Sequence, residues 1–326
     1  MNAERHLRLF QGERNRLTAL AYRMTGSVTE AEDILQEAWI RFARQDLPAI
    51  EEPRRWLGAA VMRLCLDHLK SARRRRETYI GAWLPEPLVE GCVATPEDAW
   101  MVAEDVNTAL ILTLHSLSPE MRAAFILRDA FDYDFEAIAD IVGRTPATCR
   151  QLVSRARRRM AGAEPPARPP SAEATPILQA FWRASRQGDI QQLLDLFADE
   201  IEVHTDGGGR VRAALNVLHG KARAARFFAG LARKWPWSPA AGLKTCVVNG
   251  SPGFVARDHW GGLQTTAIDI VDGQIRAIWI VRNPEKLMHL STFSHLRPRA
   301  LGGLTLPSHS RWKKWPGRRL TTDPPE

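Results

Sequence analysis

The chain has 326 residues, 44% of them hydrophobic, which suffices for two or three folded domains and excludes wholesale disorder. No apolar run reaches the roughly 18 residues of a membrane span, the charged start lacks a signal-peptide core, and four scattered cysteines form no CxxC pair. We therefore expect a cytoplasmic protein with no membrane contact, no metal and no cofactor. The net charge is +8, but residues 1–165 hold 23 Lys and Arg against 24 Asp and Glu, so bulk charge alone does not indicate a nucleic-acid partner.

Residues 5–76 have helical periodicity throughout. Thr29 is a candidate N-cap, and apolar residues then follow at helical spacing; they are Ala31, Ile34, Leu35, Ala38 and Phe42. The segment 54–72 repeats this pattern and ends in the basic run "ARRRRE". Residues 77–104 contain several prolines and are predicted to form a linker before a second helical domain at 105–162.

Residues 135–155, "FEAIADIVGRTPATCRQLVSR", have the pattern of a helix-turn-helix. A small residue, Ala139, precedes a turn glycine, Gly143, by four positions, and Thr145 and Pro146 suit the start of a second helix. With the apolar side of that helix buried, six residues would face outward toward DNA: Ala147, Thr148, Arg150, Gln151, Ser154 and Arg155. An ordinary helical hairpin with a solvated basic face is the alternative.

A second, proline-rich linker is predicted at 163–174, followed by a domain of different texture at 175–291. Two helices and a strand precede a further helix, and four strand-like segments then end with a hairpin at Asp272-Gly273. This order predicts an α+β domain. The basic tail, 292–326, lacks periodicity and is expected to be mobile; its role stays open.

Two segments resemble bacterial sigma factors of the extracytoplasmic-function class. "TGSVTEAEDILQEAWIRF" (25–42) and 54–77 resemble their region 2, and 116–160 resembles their region 4. The resemblance implies two all-α sigma domains that bind core RNA polymerase, at the β′ clamp helices and the β flap, and read promoter DNA. It implies polymerase contacts from Asp33, Gln36 and Glu37. It also implies −10 element contacts from Trp56, Arg63, His68, Lys70, Arg73 and Arg74.

Three short motifs are similar to those of sigma factors with a fused, cone-shaped SnoaL-like domain. They are "WLPEP" (Trp83, Leu84, Pro85, Glu86, Pro87), "DGGGR" (Asp206, Gly207, Gly208, Gly209, Arg210) and "NPEKL" (Asn283, Pro284, Glu285, Lys286, Leu287). Consecutive glycines allow close approach of another chain, and prolines reduce the entropy lost when the linker docks. We expect the linker to rest on the third domain near 206–210, with Glu86 paired to Arg210, and so to control the spacing of the two sigma domains. "DGGGR" as a plain loop is the alternative.

The leading hypothesis is an alternative sigma factor controlled by its own third domain, with no separate anti-sigma factor and no covalent chemistry. One alternative is a helix-turn-helix regulator that senses a small ligand through the third domain; the twelve acidic residues against two arginines at 86–140 argue against tight binding to free DNA. The other is a bifunctional SnoaL-type enzyme, for which His204, Asp206, Asp258, His259 and Trp260 are candidate pocket residues.

Overall fold

The computed structural model describes most of the chain in six stretches, namely residues 2–77, 79–90, 107–161, 171–235, 243–257 and 262–295. Among the helices in these stretches, none has the length and apolar character needed to span a lipid bilayer. Elements are numbered below in chain order.

The first helical unit is a bundle of three α-helices with one 3₁₀ turn: α1 (Asn2–Thr25), α2 (Val28–Ala43), the turn Leu47–Ala49 and α3 (Pro53–Glu77). The predicted apolar stripe of α2 is buried. The N-cap prediction is wrong by two residues, because Ser27, not Thr29, accepts the hydrogen bond from the Glu30 backbone N–H. Thr29 lies inside the first turn and is exposed.

The second helical unit has four short helices: α4 (Thr108–Ser116), α5 (Pro119–Asp129), α6 (Phe135–Val142) and α7 (Pro146–Met160). The predicted helix-turn-helix is confirmed as α6 and α7. Gly143 ends α6 with φ of 72°, a left-handed conformation that glycine adopts without strain. Thr145 caps α7 by accepting from the Thr148 N–H, and Pro146 occupies the first helical turn.

The two helical units share one hydrophobic core. Tyr133, which precedes α6, donates its hydroxyl to the Arg55 carbonyl oxygen of α3 (2.7 Å). Arg55 also pairs with Asp134 (2.7 Å). The buried guanidinium of Arg122, on α5, donates to the Met24 carbonyl oxygen near the end of α1. The units are therefore packed against each other.

The third domain is α+β, as predicted. Its helices are α8 (Ser171–Gln187), α9 (Ile190–Leu196) and α10 (Lys221–Lys234), and its strands are β1 (Phe197–Asp206), β2 (Leu218–His219), β3 (Leu243–Val248), β4 (Ser251–Arg257), β5 (Leu263–Val271) and β6 (Gln274–Val281). The sheet order is β2-β1-β6-β5-β4-β3, antiparallel except for the parallel pair β1–β6. The predicted Asp272-Gly273 turn joins β5 and β6. Helix α8 begins at Ser171, inside the predicted linker 163–174, and a 3₁₀ segment at Pro284–His295 extends past the predicted domain end.

Side chains alternate between the two faces of the sheet along each strand. Both faces are covered by other parts of the chain. One face packs on α8 and α10 and forms the interior of the domain, with Val203, Ile278 and Ile280. The other face carries Val255, Ala267, Trp279 and Val281 and packs on the linker and on α4. This second face is where the third domain meets the sigma-like units.

Candidate functional site: a buried linker between three domains

Residues 84–89 of the linker are buried between the helical units and the third domain. Leu84 is fully buried and packs with Val255 and Trp279 on the outer face of the sheet. We call the surface that holds the linker the linker site; it comprises Asp206–Gly209, Asn249 and Asn283–His289. The expected contact between the linker and residues 206–210 is present in the structure.

Asp206 is the acceptor at the centre of the linker site. It is the last residue of β1 and is fully buried. Its carboxylate accepts hydrogen bonds from the linker, at 2.6 Å from the Tyr79 hydroxyl and 2.9 Å from the Leu84 N–H. It also accepts from the Gly208 N–H (2.9 Å) and pairs with the Lys286 ammonium (2.8 Å). A buried carboxylate needs such full satisfaction, because unpaired buried charge is costly.

Lys286 of the "NPEKL" motif completes this arrangement. Its ammonium donates to the Leu84 carbonyl oxygen as well as to Asp206, and it lies 4.6 Å from the centre of the Trp83 ring and 5.0 Å from that of Tyr79. The positive charge is thus held by one carboxylate, one carbonyl and two aromatic faces. All three sequence motifs meet at this one residue.

Glu86 does not pair with Arg210, so that prediction is wrong. Its carboxylate points to the opposite side, where it accepts from the Ser27 hydroxyl (2.7 Å) and the Val28 N–H (2.7 Å). It therefore sits at the N-terminus of α2, where free N–H groups and the helix dipole favour a negative charge. Arg210 pairs with Glu285 instead (2.8 Å), on the exposed surface of the third domain.

Asn249 joins the linker to the other edge of the sheet. It lies in the β3–β4 turn and is buried. Its side-chain oxygen accepts from the Leu88 N–H (2.6 Å), its backbone N–H donates to the Leu88 carbonyl oxygen (2.8 Å), and its amide group donates to Thr108 at the start of α4 (3.3 Å). Val89 then pairs with Val248 in an isolated antiparallel bridge. The linker extends the edge of the sheet by one short bridge.

Trp83 contacts all three domains. Its ring stacks on His115 of α4, with centroids 4.5 Å apart and planes 19° apart. It lies against Gly26, between α1 and α2, where a Cβ atom would overlap the indole. The Lys286 ammonium lies 4.6 Å from the ring centroid, so this half-buried residue touches all three domains.

The glycines of "DGGGR" allow neighbouring segments to pack closely against the backbone. Gly208 and Gly209 have φ of 57° and 70°. A Cβ at Gly208 would overlap the Asn283 side chain, and one at Gly209 would press on Ile80 of the linker. These positions therefore need glycine both for backbone conformation and for space.

The α2 residues implied to contact polymerase lie on one accessible face. Asp33 and Gln36 are exposed, and Glu37 is half-buried and pairs with Arg41 (2.8 Å). The apolar stripe opposite them is buried. Because Glu86 binds the N-terminus of this helix, the linker supports the helix that carries this face.

The α3 residues implied to contact the −10 element differ in exposure. Arg63 and Lys70 are exposed, whereas Trp56 packs on Phe42 and His68 lies 3.0 Å from Glu30. The side chains of Arg73 and Arg74, at the end of α3, lie outside the described part of the structure.

The outward face of α7 is accessible as expected. Ala147, Arg150, Gln151, Ser154 and Arg155 are exposed, and Thr148 is half-buried beside the capping Thr145. Cys149 and Val153 are buried on the opposite side. The residues expected to contact DNA therefore lie on the solvent-accessible side of α7.

Two candidate catalytic residues do not line the interior of the third domain. His204 and Asp206 alternate with Val203 and Thr205 along β1 and point to the outer face. His204 lies 2.9 Å from Glu202 at the surface side of this strand. The other three candidates (Asp258, His259 and Trp260) lie outside the described residues.

Several residues in or around the linker site were not predicted from the sequence. They are Tyr22, Gly26, Tyr79, His115, Arg122 and Asn249. Only Asn249 was detectable locally, as part of an Asn-Gly turn signal, and that signal predicts a hairpin without predicting a partner.

Comparison with known proteins agrees with this geometry. The family model "Sigma-70 region 2" matches residues 9–75, and "Sigma-70, region 4" matches residues 108–160. The ECF RNA polymerase sigma factor SigJ of Mycobacterium tuberculosis is 36% identical over 85% of this chain and 91% of its own. The probable ECF sigma factor SigI of the same species is 32% identical over 90% and 97%.

A crystal structure of the M. tuberculosis extracytoplasmic function sigma factor SigJ matches with a TM-score of 0.68 at 33% identity, covering 86% of this chain and 97% of that one. The third domain thus has the expected SnoaL-like fold. The chain belongs to the extracytoplasmic-function RNA polymerase sigma factors, in which sigma-70 regions 2 and 4 recognise promoters and initiate transcription.

Proposed function

We propose that the SnoaL-like domain of this sigma factor controls promoter reading by holding regions 2 and 4 together through the linker site. The observation that carries the proposal is the buried linker, with Asp206 and Lys286 on one side and the N-terminus of α2 on the other. In this arrangement the chain supplies its own control element, and no separate anti-sigma factor is required.

The packed arrangement of regions 2 and 4 does not match the separation of the promoter elements. Compact units of this size have radii of gyration of about 10–11 Å, so the centres of two touching units lie about 30 Å apart. The −10 and −35 elements are about 25 base pairs apart, or about 85 Å at roughly 3.4 Å per base pair. Region 4 must therefore leave region 2 before both elements are contacted together.

The proposed polymerase contacts do not require that separation. Asp33 and Gln36 are exposed in the packed form, and carboxylates on a rigid helix suit a basic partner surface such as the β′ clamp helices. The α7 face is also accessible. We infer that core polymerase binds first through α2 and that the β flap then takes region 4, with promoter DNA contacted last.

A run-off transcription assay with purified core polymerase tests the proposal. The full chain and a chain ending at residue 161 are compared on a template selected from a library with randomised −35 and −10 elements. We expect both to bind core polymerase and the two to differ in promoter-dependent transcript yield. Equal yields would refute control by the third domain, and a full chain that never supports specific initiation would refute the sigma-factor role itself.

A ligand-sensing helix-turn-helix regulator is distinguished in the same experiment. It would bind duplex DNA tightly without polymerase, whereas we expect the full chain alone to bind the selected template weakly. A gel-shift titration with and without core polymerase measures this difference at one fixed salt concentration.

A further inference from the structure

The interior of the third domain contains a cavity that the linker site does not use. It lies between the inner face of the sheet and helices α8 and α10, and its volume is about 240 Å³. Six aromatic side chains form much of its wall: Phe181, Trp182, Phe227, Phe228, Trp235 and Phe254. Cavities lined by aromatic residues with a few polar groups are the usual form of small-ligand sites.

Among the described residues that line this cavity, the charged side chains are all positive. Arg186 of α8, Arg212 of the β1–β2 connection and Arg282 after β6 line it together. The described lining residues include no aspartate or glutamate. Burial lowers the pKa of the Arg186 guanidinium, because desolvation penalises its charged form. An anion bound beside the Arg186 guanidinium would relieve this penalty.

Two of the three arginine side chains are also held in place. The Arg186 guanidinium stacks on the Trp182 ring, 3.5 Å from its centroid. The Arg282 side chain donates to the Arg212 carbonyl oxygen. The side chains of Thr205, Gln264 and Thr266 add neutral polar groups to the same wall. Preorganised donors of this kind favour a bidentate acceptor such as a carboxylate.

We propose that this cavity binds a small organic carboxylate with a flat or aliphatic apolar body. The aromatic walls would hold the apolar body, and the arginines would hold the carboxylate. No chemical step is implied.

The cavity and the linker site are built on the same two chain segments. Along β1, Thr205 faces the cavity and Asp206 faces the linker. After β6, the Arg282 side chain lines the cavity, while its backbone N–H donates to the Asp206 carbonyl oxygen (2.8 Å). Asn283, the next residue, packs on Gly208. A carboxylate that bridges Arg212 and Arg282 would order both segments and so strengthen linker docking; this step rests on the proposed function, whereas ligand binding does not.

Isothermal titration calorimetry on the full chain tests binding, with cinnamate, phenylacetate and decanoate as probes. Cinnamamide is the neutral match of cinnamate and cinnamylamine its cationic match. We expect at least one carboxylate to bind, and cinnamate to bind at least about tenfold more tightly than either match, as loss of a charged hydrogen bond predicts. Binding by none of the carboxylates at millimolar concentration, or equal binding of cinnamate and cinnamamide, would overturn the proposal.

Substitutions locate the site. Arg186→Gln should weaken carboxylate binding about tenfold or more, and Arg186→Lys less. Arg183→Gln, an exposed arginine on the same helix, is the matched control and should change nothing. Thermal unfolding of each variant shows whether it is folded. If Arg186→Gln is folded and binds as the natural chain does, the cavity is not the site.

Hydrogen exchange of residues 79–90, with and without the tightest-binding carboxylate, tests the coupling separately. We expect slower exchange when the carboxylate is bound. Binding without any change in exchange supports the site and overturns its coupling to the linker. If the full chain and the chain ending at residue 161 give equal transcript yields while the carboxylate still binds, the proposed function is overturned and the ligand site in the cavity is not.

Discussion

Asp206→Asn is the most direct perturbation of the linker site. The substitution keeps the size of the side chain and removes its charge. Two of the four donors to this carboxylate belong to the linker, namely the Tyr79 hydroxyl and the Leu84 N–H. Hydrogen bonds to a charged group contribute about 1.5–3 kcal/mol each. The amide oxygen of Asn can replace one of them only partly, and it leaves the Lys286 ammonium without its counterion.

We expect linker docking to weaken by about 2–4 kcal/mol, because one charged bond is lost and a buried donor is left unsatisfied. Every 1.4 kcal/mol is tenfold in an equilibrium constant, so the undocked population should rise roughly 30- to 700-fold. The figure of about 2–4 kcal/mol does not include the loss of attraction between Lys286 and Asp206. These two residues belong to the same domain and stay close to each other when the linker undocks.

Hydrogen-exchange mass spectrometry of a peptide covering 82–90 measures the effect. The amides of Leu84 and Leu88 donate to Asp206 and Asn249, so they report docking directly. Exchange of β5 shows whether the third domain remains folded. Asp272→Asn, the same chemical change at an exposed hairpin position, is the control. If Asp206→Asn leaves linker exchange unchanged while β5 stays protected, the carboxylate does not hold the linker.

Three further predictions follow from the contacts between domains. Gly26→Ala should displace the Trp83 ring and increase protease cleavage of the linker. The control is Gly273→Ala, which is also at positive φ but has open space around it and should cause only backbone strain. Equal cleavage of the two variants would contradict the packing argument. Arg122→Met should lower the free energy of unfolding in urea by about 3 kcal/mol, because three buried carbonyl groups lose their donor; a loss near zero would show that they find other partners. Burial raises the pKa of every tyrosine in the chain, so the unfolded state releases these protons first and stability should fall as pH rises above about 10. The three residues are Tyr22, Tyr79 and Tyr133. Ultraviolet titration should show phenolate absorbance only when the chain unfolds. Phenolate in the folded chain near the ordinary tyrosine pKa of about 10 would contradict this prediction.

Local sequence patterns predicted the local structure well. The spacing of Ala139 and Gly143 and the cap at Thr145 are properties of a few consecutive residues, and the structure confirms them. The one wrong N-cap prediction, Thr29 in place of Ser27, was also made from a local pattern. Both residues can accept from the backbone, and the choice between them depends on the Gly26 turn and on Glu86, which lies far away in sequence.

The partners of the buried charges were not predictable in this way. Glu86 and Val28 are 58 residues apart, and Leu84 and Asp206 are 122 residues apart. Complementary charge made Arg210 a reasonable partner for Glu86, but the linker turns its glutamate toward α2 while its backbone faces the third domain. Only the packed fold determines which side of an extended segment faces which domain.

The amino-acid sequence by itself determined most of the helices and strands, the Asp272-Gly273 hairpin, the helix-turn-helix and the three motifs, because periodicity, capping and turn chemistry act over a few residues. Tertiary structure alone decided that regions 2 and 4 share a core, that Asp206 faces the linker and that three arginines meet in one cavity. Those contacts join residues distant in the chain, and their geometry exists only when the faces of the strands and helices are packed together.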